Sequence, residues 1–142
     1  MLKGIPSILS PELLKILMEM GHGDTLVLAD ANFPGAAMAR NLVRLDAHPI
    51  PAILDAMLRF FPLDSYVAKQ ALLMEVVKGD PVETPIWDTY RQIIAKHDET
   101  AQIGCVERFS FYELAQKAYC VVQTGETALY ANILLTKGVV IA

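Results

Sequence analysis

The segment Gly21-His22-Gly23-Asp24-Thr25-Leu26-Val27-Leu28-Ala29-Asp30 sets two residues that could handle protons at the two ends of an apolar run. Histidine titrates near neutral pH, and flanking glycines remove side chains that would crowd its ring. His22 is therefore a candidate acid–base group. Its plain alternative is a cap on the preceding helix, whose C-terminal dipole favours a cation. Asp30 falls just past the carboxyl end of a strand, where open α/β sheets bind ligands, though it could instead open a turn toward Pro34. Arg108 precedes an expected helix start, where a cation gains nothing from the dipole. It could hold a hydroxyl-rich or anionic ligand, or form a surface ion pair. Tyr130-Ala131-Asn132 lines up a phenol, a backbone amide and a carboxamide, a compact set for grasping ligand hydroxyls or for closing a turn. These residue types suit general acid–base chemistry that needs no cofactor.

Two other chemistries fit poorly. Gly21-His22-Gly23 resembles the opening of a dinucleotide fingerprint, but the third glycine is missing and the motif precedes its strand. His22, Asp24 and Asp30 lack a further strong ligand at helical spacing, so no metal is expected, and Asp24 reads as a turn residue or a partner for nearby amides.

Alternating helices and strands must position these groups. Ser10-Pro11-Glu12 supplies an N-cap, a first-turn proline and a first-turn acid; Leu13, Leu14, Leu17 and Met20 keep a helical period that Gly21 stops. Thr25–Ala29 and residues 41–45 read as strands. Pro51 opens a helix carrying Ile53, Leu54, Met57 and Leu58, closed by Pro62. Residues 72–77 read as a strand, and Thr84-Pro85 starts a helix through Trp87, Tyr90, Ile93 and Ile94. Ile103–Val106 is a strand. Ser110-Phe111-Tyr112-Glu113 has capping-box spacing, which predicts a helix from 111 to about 118. A strand over 119–123, a turn at Thr124-Gly125-Glu126 and a strand over 133–135 complete the chain. The class is α/β with both sheet faces covered, in one domain over residues 1–142.

Composition narrows the function classes. Hydrophobic residues make up 54% and charged ones 20%, yet no apolar run nears the roughly 18–20 residues that span a bilayer. The start lacks the apolar stretch of a signal peptide, so a cytoplasmic protein is expected. The apolar surplus points to burial between subunits. A net charge of −4 without a basic cluster argues against nucleic acid. Cys105 and Cys120 match neither a redox pair nor a zinc knuckle and read as two buried, reduced thiols. Trp87 reads as core.

Six segments in order resemble the RbsD/FucU family of sugar mutarotases, and more closely its fucose branch. They are Leu9-Ser10-Pro11-Glu12-Leu13-Leu14, Met20-Gly21-His22-Gly23-Asp24, Ala29-Asp30-Ala31-Asn32-Phe33-Pro34, Leu63-Asp64-Ser65-Tyr66, Glu107-Arg108-Phe109-Ser110-Phe111-Tyr112-Glu113, and the run from Thr124-Gly125-Glu126 through Tyr130-Ala131-Asn132 to Leu135. The resemblance implies a mixed sheet between two helical layers and a ring-like homo-oligomer, commonly a decamer of two stacked pentamers. It implies interconversion of the α and β anomers of L-fucose, without metal or cofactor. His22 matches the family's proton donor, and Asp30, Arg108, Tyr130, Ala131 and Asn132 match its substrate-binding positions. Asn32 stands where some members carry histidine, so a second catalytic histidine is not implied. A D-ribose pyranase and a non-catalytic monosaccharide-binding protein are the alternatives. Either Tyr130 or a water could be the second proton carrier.

One distance is decisive. A strand rises about 3.3 Å per residue, so His22 and Asp30 should stand roughly 20 Å apart. A shared pocket is then expected only between subunits, with the two residues contributed by neighbouring chains.

Overall fold

The computed structural model describes residues 1–142. Its elements are α1 (Pro11–Glu19), β1 (Thr25–Ala29), α2 (Gly35–Met38), β2 (Leu42–Leu45), α3 (Ile50–Leu58), β3 (Ala71–Met74), α4 (Pro85–His97), β4 (Ile103–Val106), α5 (Arg108–Lys117), β5 (Cys120–Thr124) and β6 (Ile133–Thr136). The strands form one sheet in the order β2-β5-β1-β6-β3-β4. β6 runs antiparallel to β1 and β3, while the β1–β5, β2–β5 and β3–β4 pairs are parallel. The sheet is therefore mixed.

Strand side chains alternate between faces, and β1 shows both. Leu26 and Leu28 join a large cluster with Leu13, Leu17, Ile53, Leu54, Tyr90 and Ile94, from α1, α3 and α4. Val27 and Ala29 join a smaller one with Phe33, Phe111 and Ala115, from α5 and the loop before α2. Both faces are covered, giving the expected three layers. This burial, more than helix propensity, holds such short helices in place.

Several local expectations need correction. Ser10 does cap α1, accepting the Leu13 N–H at 3.2 Å. Gly21 does not stop it through a left-handed turn; Met20 turns extended first, and Gly23 carries the positive φ of +86°. β3 occupies Ala71–Met74, not 72–77: beyond Met74 the Glu75 N–H still reaches the Val106 carbonyl, and the chain then leaves the sheet. The Ser110–Glu113 capping box does not form. Glu107 caps α5 three residues earlier, its carboxylate accepting from the Phe109 and Ser110 N–H groups, so Arg108 is the helix's first residue and does not precede it. A charged acceptor at the N-cap outcompetes a hydroxyl further along because it meets the same unpaired amides and the dipole together. Cys120 is buried, its thiol pushed up to about 12 by burial, but Cys105 is exposed because β4 is an edge strand. α2 is one turn and left no periodic signal. No helix is long and apolar enough to cross a membrane.

Candidate active site

The sheet's direction decides which residues meet. The carboxyl ends of β1, β3 and β4 lie along the same edge as the amino end of β6, because β6 alone runs the other way. The residues just beyond these ends line a cavity of about 260 Å³: Asp30 and Phe33 after β1, Val77 and Asp80 after β3, Arg108 and Tyr112 after β4, and Tyr130 and Asn132 before β6. Four of the expected ligand-binding residues, Asp30, Arg108, Tyr130 and Asn132, are thus brought together. Strand ends of an open sheet are a favoured place for a ligand, since polar groups converge there on a rigid base.

Asp30 is buried and fixed on three sides. Its backbone N–H donates to Asn132 Oδ1 at 2.7 Å, its carbonyl accepts from Gln123 Nε2 at 2.6 Å, and its Oδ1 accepts the Asn32 N–H at 3.0 Å. Burial raises its carboxyl above the ordinary aspartate value, and the amides of Asn32, Phe33 and Ala131 act in the opposite direction. The result is a carboxyl held in one orientation.

Arg108 sits at the unfavourable end of the α5 dipole and has compensating neighbours. Its guanidinium lies 5.3 Å from the Phe109 ring centroid and 5.7 Å from that of Tyr112. Aromatic faces hold a cation without consuming all its N–H donors, which leaves donors for a ligand. Phe109 and Leu129 are exposed apolar side chains beside this site.

Tyr130 carries φ +55°, the only positive φ outside glycine. A non-glycine residue in that conformation costs about 1–3 kcal/mol and needs surrounding structure to hold it. Two aromatic residues of α4 supply the hold: Trp87 Nε1–H donates to the Tyr130 carbonyl at 2.8 Å, and Tyr90 Oη–H to the Ala131 carbonyl at 2.7 Å. Trp87 is therefore more than core filler. Ala131 is fully buried beneath the cavity and outside its lining. Tyr90→Phe, which strips the buried Ala131 carbonyl of its partner, should cost about 1–3 kcal/mol in urea unfolding. An unchanged midpoint would show that the Ala131 carbonyl does not depend on Tyr90.

His22 lies at the other end of the sheet. Gly23 N–H donates to the Lys137 carbonyl just after β6, at 2.8 Å, and Asp64 N–H to the Thr136 carbonyl at 3.1 Å. These contacts bring His22 Nε2 to 3.0 Å from Asp64 Oδ1. Asp64 is 3% exposed, whereas the His22 side chain is 44% exposed, with the Tyr66 ring tilted beside it at 5.4 Å between centroids. The Tyr66 N–H and the His22 contact hold the Asp64 carboxyl below its usual range. A carboxylate only accepts, so Nε2 carries a proton and Nδ1 is the nitrogen left to exchange one. Asp64 strengthens folding above the ordinary carboxylate value, and that contribution is lost as pH falls through its lower folded value.

His22 is absent from the lining of the Asp30 cavity, and an unbroken β1 separates the two. Asp64, Asp80, Tyr112 and the Trp87 indole N–H were not singled out from sequence. Asp64 and Tyr112 do fall inside the segments that carried the resemblance, but no spacing rule links position 22 to 64. No three His, Cys, Asp or Glu side chains gather to hold a metal ion.

The chain is similar to known proteins over nearly its whole length. Residues 3–140 match the RbsD / FucU transport protein family. The chain is 48% identical to a fucose mutarotase of Danio rerio, over 98% of this chain and 94% of that one. The crystal structure of FucU from Bifidobacterium longum superposes with a TM-score of 0.95 at 57% identity, covering 98% of this chain and all of that one (100%). A fucose mutarotase from Streptococcus pneumoniae, solved in complex with L-fucose, superposes with a TM-score of 0.94 at 54% identity, over 99% and 100% of the two chains. The family model spans nearly the whole chain and these relatives align over almost their full length, so the chain belongs to the RbsD / FucU family.

Proposed function

We infer that this protein is an L-fucose mutarotase, an isomerase that interconverts the α and β anomers of the sugar by opening and reclosing its ring. The observation that carries this reading is the cavity where Asp30, Arg108, Tyr130 and Asn132 converge, in a chain 54% identical to a protein solved with L-fucose bound. A carboxyl, a guanidinium, a phenol and a carboxamide supply both acceptors and donors, which a ring of hydroxyls requires.

Ring opening needs a proton delivered to the ring oxygen as its bond to the anomeric carbon breaks, and a proton removed from the anomeric hydroxyl. His22 delivers the first in our reading, held in one tautomer by Asp64. It acts in the cavity of a neighbouring subunit, because its own cavity lies at the far end of β1. The exposed imidazole and the exposed Tyr66 ring beside it suit such an interface. The assembly is then a homo-oligomer with sites shared between subunits, a ring-like decamer by family resemblance, built from single-domain chains and working in the cytoplasm. Substrate binding falls to Asp30, Arg108, Tyr130, Asn132 and the backbone at Ala131.

Saturation-transfer NMR on L-fucose tests the activity. Magnetisation transferred between anomers faster than in buffer supports a mutarotase, and binding without transfer identifies a sugar-binding protein. Faster pyranose–furanose exchange in D-ribose than anomer exchange in L-fucose would favour the pyranase. Asp64→Asn should slow L-fucose exchange by about 10–10²-fold through loss of imidazole orientation, with the sugar still bound. Full activity in that variant would remove Asp64 from the account.

A further inference from the structure

The Tyr130 phenol has a fixed hydrogen-bond direction. The Val77 backbone N–H donates to Tyr130 Oη at 3.3 Å, and Tyr130 Oη donates to Asp80 Oδ2 at 2.6 Å. A backbone N–H only donates and a carboxylate oxygen only accepts, so neither end of this chain can reverse. With its proton committed to Asp80, the phenol presents a lone pair to the cavity. A sugar hydroxyl that meets Tyr130 must therefore donate to it. Arg108, on the same cavity, has the opposite character and only donates.

The surroundings keep this path in place. Val77 and Asp80 share the short loop after β3, where Gly79 takes a positive φ of +89° and turns the chain back toward the cavity. The Trp87 indole anchors the Tyr130 carbonyl from behind. The bond to Asp80 raises the Tyr130 phenol above its ordinary value, so the hydroxyl does not ionise by itself and passes a proton on only as it receives one. The other titratable groups on the cavity that holds the pair are Asp30, Arg108 and Tyr112; Glu75, Lys78 and Glu107 line the adjoining depression on the far side of Val77 and Arg108.

We propose that Asp80, acting through Tyr130, receives the proton that leaves the anomeric hydroxyl when the sugar ring opens. This rests on the mutarotase reading above and supplies its second proton path. As the bond between the anomeric carbon and the ring oxygen breaks, its electron pair stays on the ring oxygen, which takes a proton from the protonated His22 of the neighbouring subunit. The anomeric O–H gives its proton to Tyr130 Oη while Tyr130 gives its own to Asp80, and the anomeric carbon becomes an aldehyde. After the aldehyde end rotates, every transfer reverses. Asp80 returns its proton through Tyr130 to the carbonyl oxygen, and the ring-forming hydroxyl returns one to His22. No oxidant, metal or external base enters the balance.

Asp80→Asn tests the path, since it preserves the side chain's shape and its bond with the phenol but cannot take up a proton. Asp80 lies on an exposed loop, so the fold tolerates the change. Exchange at saturating L-fucose should fall about 10–10²-fold. Affinity, read by calorimetric titration, should stay within about threefold, because the lost interaction belongs to the transition state. The double variant Asp80→Asn/Tyr130→Phe should be no slower than Tyr130→Phe alone, because the two residues serve one path. Asp80→Glu should recover part of the lost rate. The proposal is overturned if Asp80→Asn exchanges within about twofold of the parent, if the two losses multiply in the double variant, or if affinity falls as far as rate. Parent protein that exchanges no anomers would sink the mutarotase reading itself, and the proton path with it.

Discussion

His22→Ala should slow L-fucose anomer exchange by about 10²–10⁴-fold, the usual worth of a positioned acid–base group. Affinity for the sugar should change only a few-fold, because Asp30, Arg108, Tyr130 and Asn132 form the cavity without His22. The separation of rate from affinity follows from the position of the ring: bonded to Asp64 at one end of the sheet, it takes no part in shaping the pocket of its own chain. Saturation-transfer NMR with a parallel calorimetric titration reads both quantities. Exchange retained within about threefold would remove His22 from the chemistry. Loss of binding in step with rate would make it a binding residue.

Gly125→Ala should destabilise the protein by about 3 kcal/mol or more in urea unfolding, in the range reserved for substitutions with no room to relax. A β-carbon at Gly125 would overlap the Asp46 carbonyl oxygen, which is backbone and cannot swing aside as a side chain would. The Gly125 N–H also donates to the His48 carbonyl at 2.9 Å, so the two loops are tied at the point of contact. Pushing them apart disturbs Glu126, whose buried carboxylate accepts the Ile50 N–H at the start of α3 and the N–H groups of Thr127 and Ala128. The Glu126 carbonyl in turn accepts the Ala31 N–H at 2.8 Å, next to Asp30. Weaker sugar binding should therefore accompany the lower stability. A midpoint within about 0.5 kcal/mol of the parent would show that the loops shift freely.

What could be read in the sequence was local. The Ser10-Pro11 start of α1 and the bounds of β1 and β4 follow from capping chemistry and apolar run length, and the structure places them where those signals do. Four residues of the strand-end cavity, Asp30, Arg108, Tyr130 and Asn132, were also legible, because each adjoins the end of a recognisable element, whereas Asp80 and Tyr112 carried no such signal. Tertiary pairing was not. β3 ends at Met74 because its pairing with β6 stops at Leu73 and that with β4 at Met74, which the apolar residues Val76 and Val77 could not reveal. The α5 cap moved to Glu107 because a charged acceptor competed with a correctly spaced serine. The His22–Asp64 contact spans 42 positions and depends on the antiparallel placement of β6 between β1 and β3, so no local pattern encodes it. The strain at Tyr130 and its support from Trp87 and Tyr90 are equally products of the assembled fold.

The central claim is that the imidazole of one subunit completes the sugar cavity of the next, and mixed assemblies test it most directly. Chains carrying His22→Ala and chains carrying Asp30→Asn, each assayed first alone to fix its own reduced rate, are unfolded together, reassembled in equal amounts and assayed for L-fucose exchange. Shared sites predict recovery to about a quarter of parental activity, since random mixing gives about one interface in four with both groups intact. A mixture as inactive as its two components would contradict the account, because it would mean that His22 and Asp30 must come from the same chain.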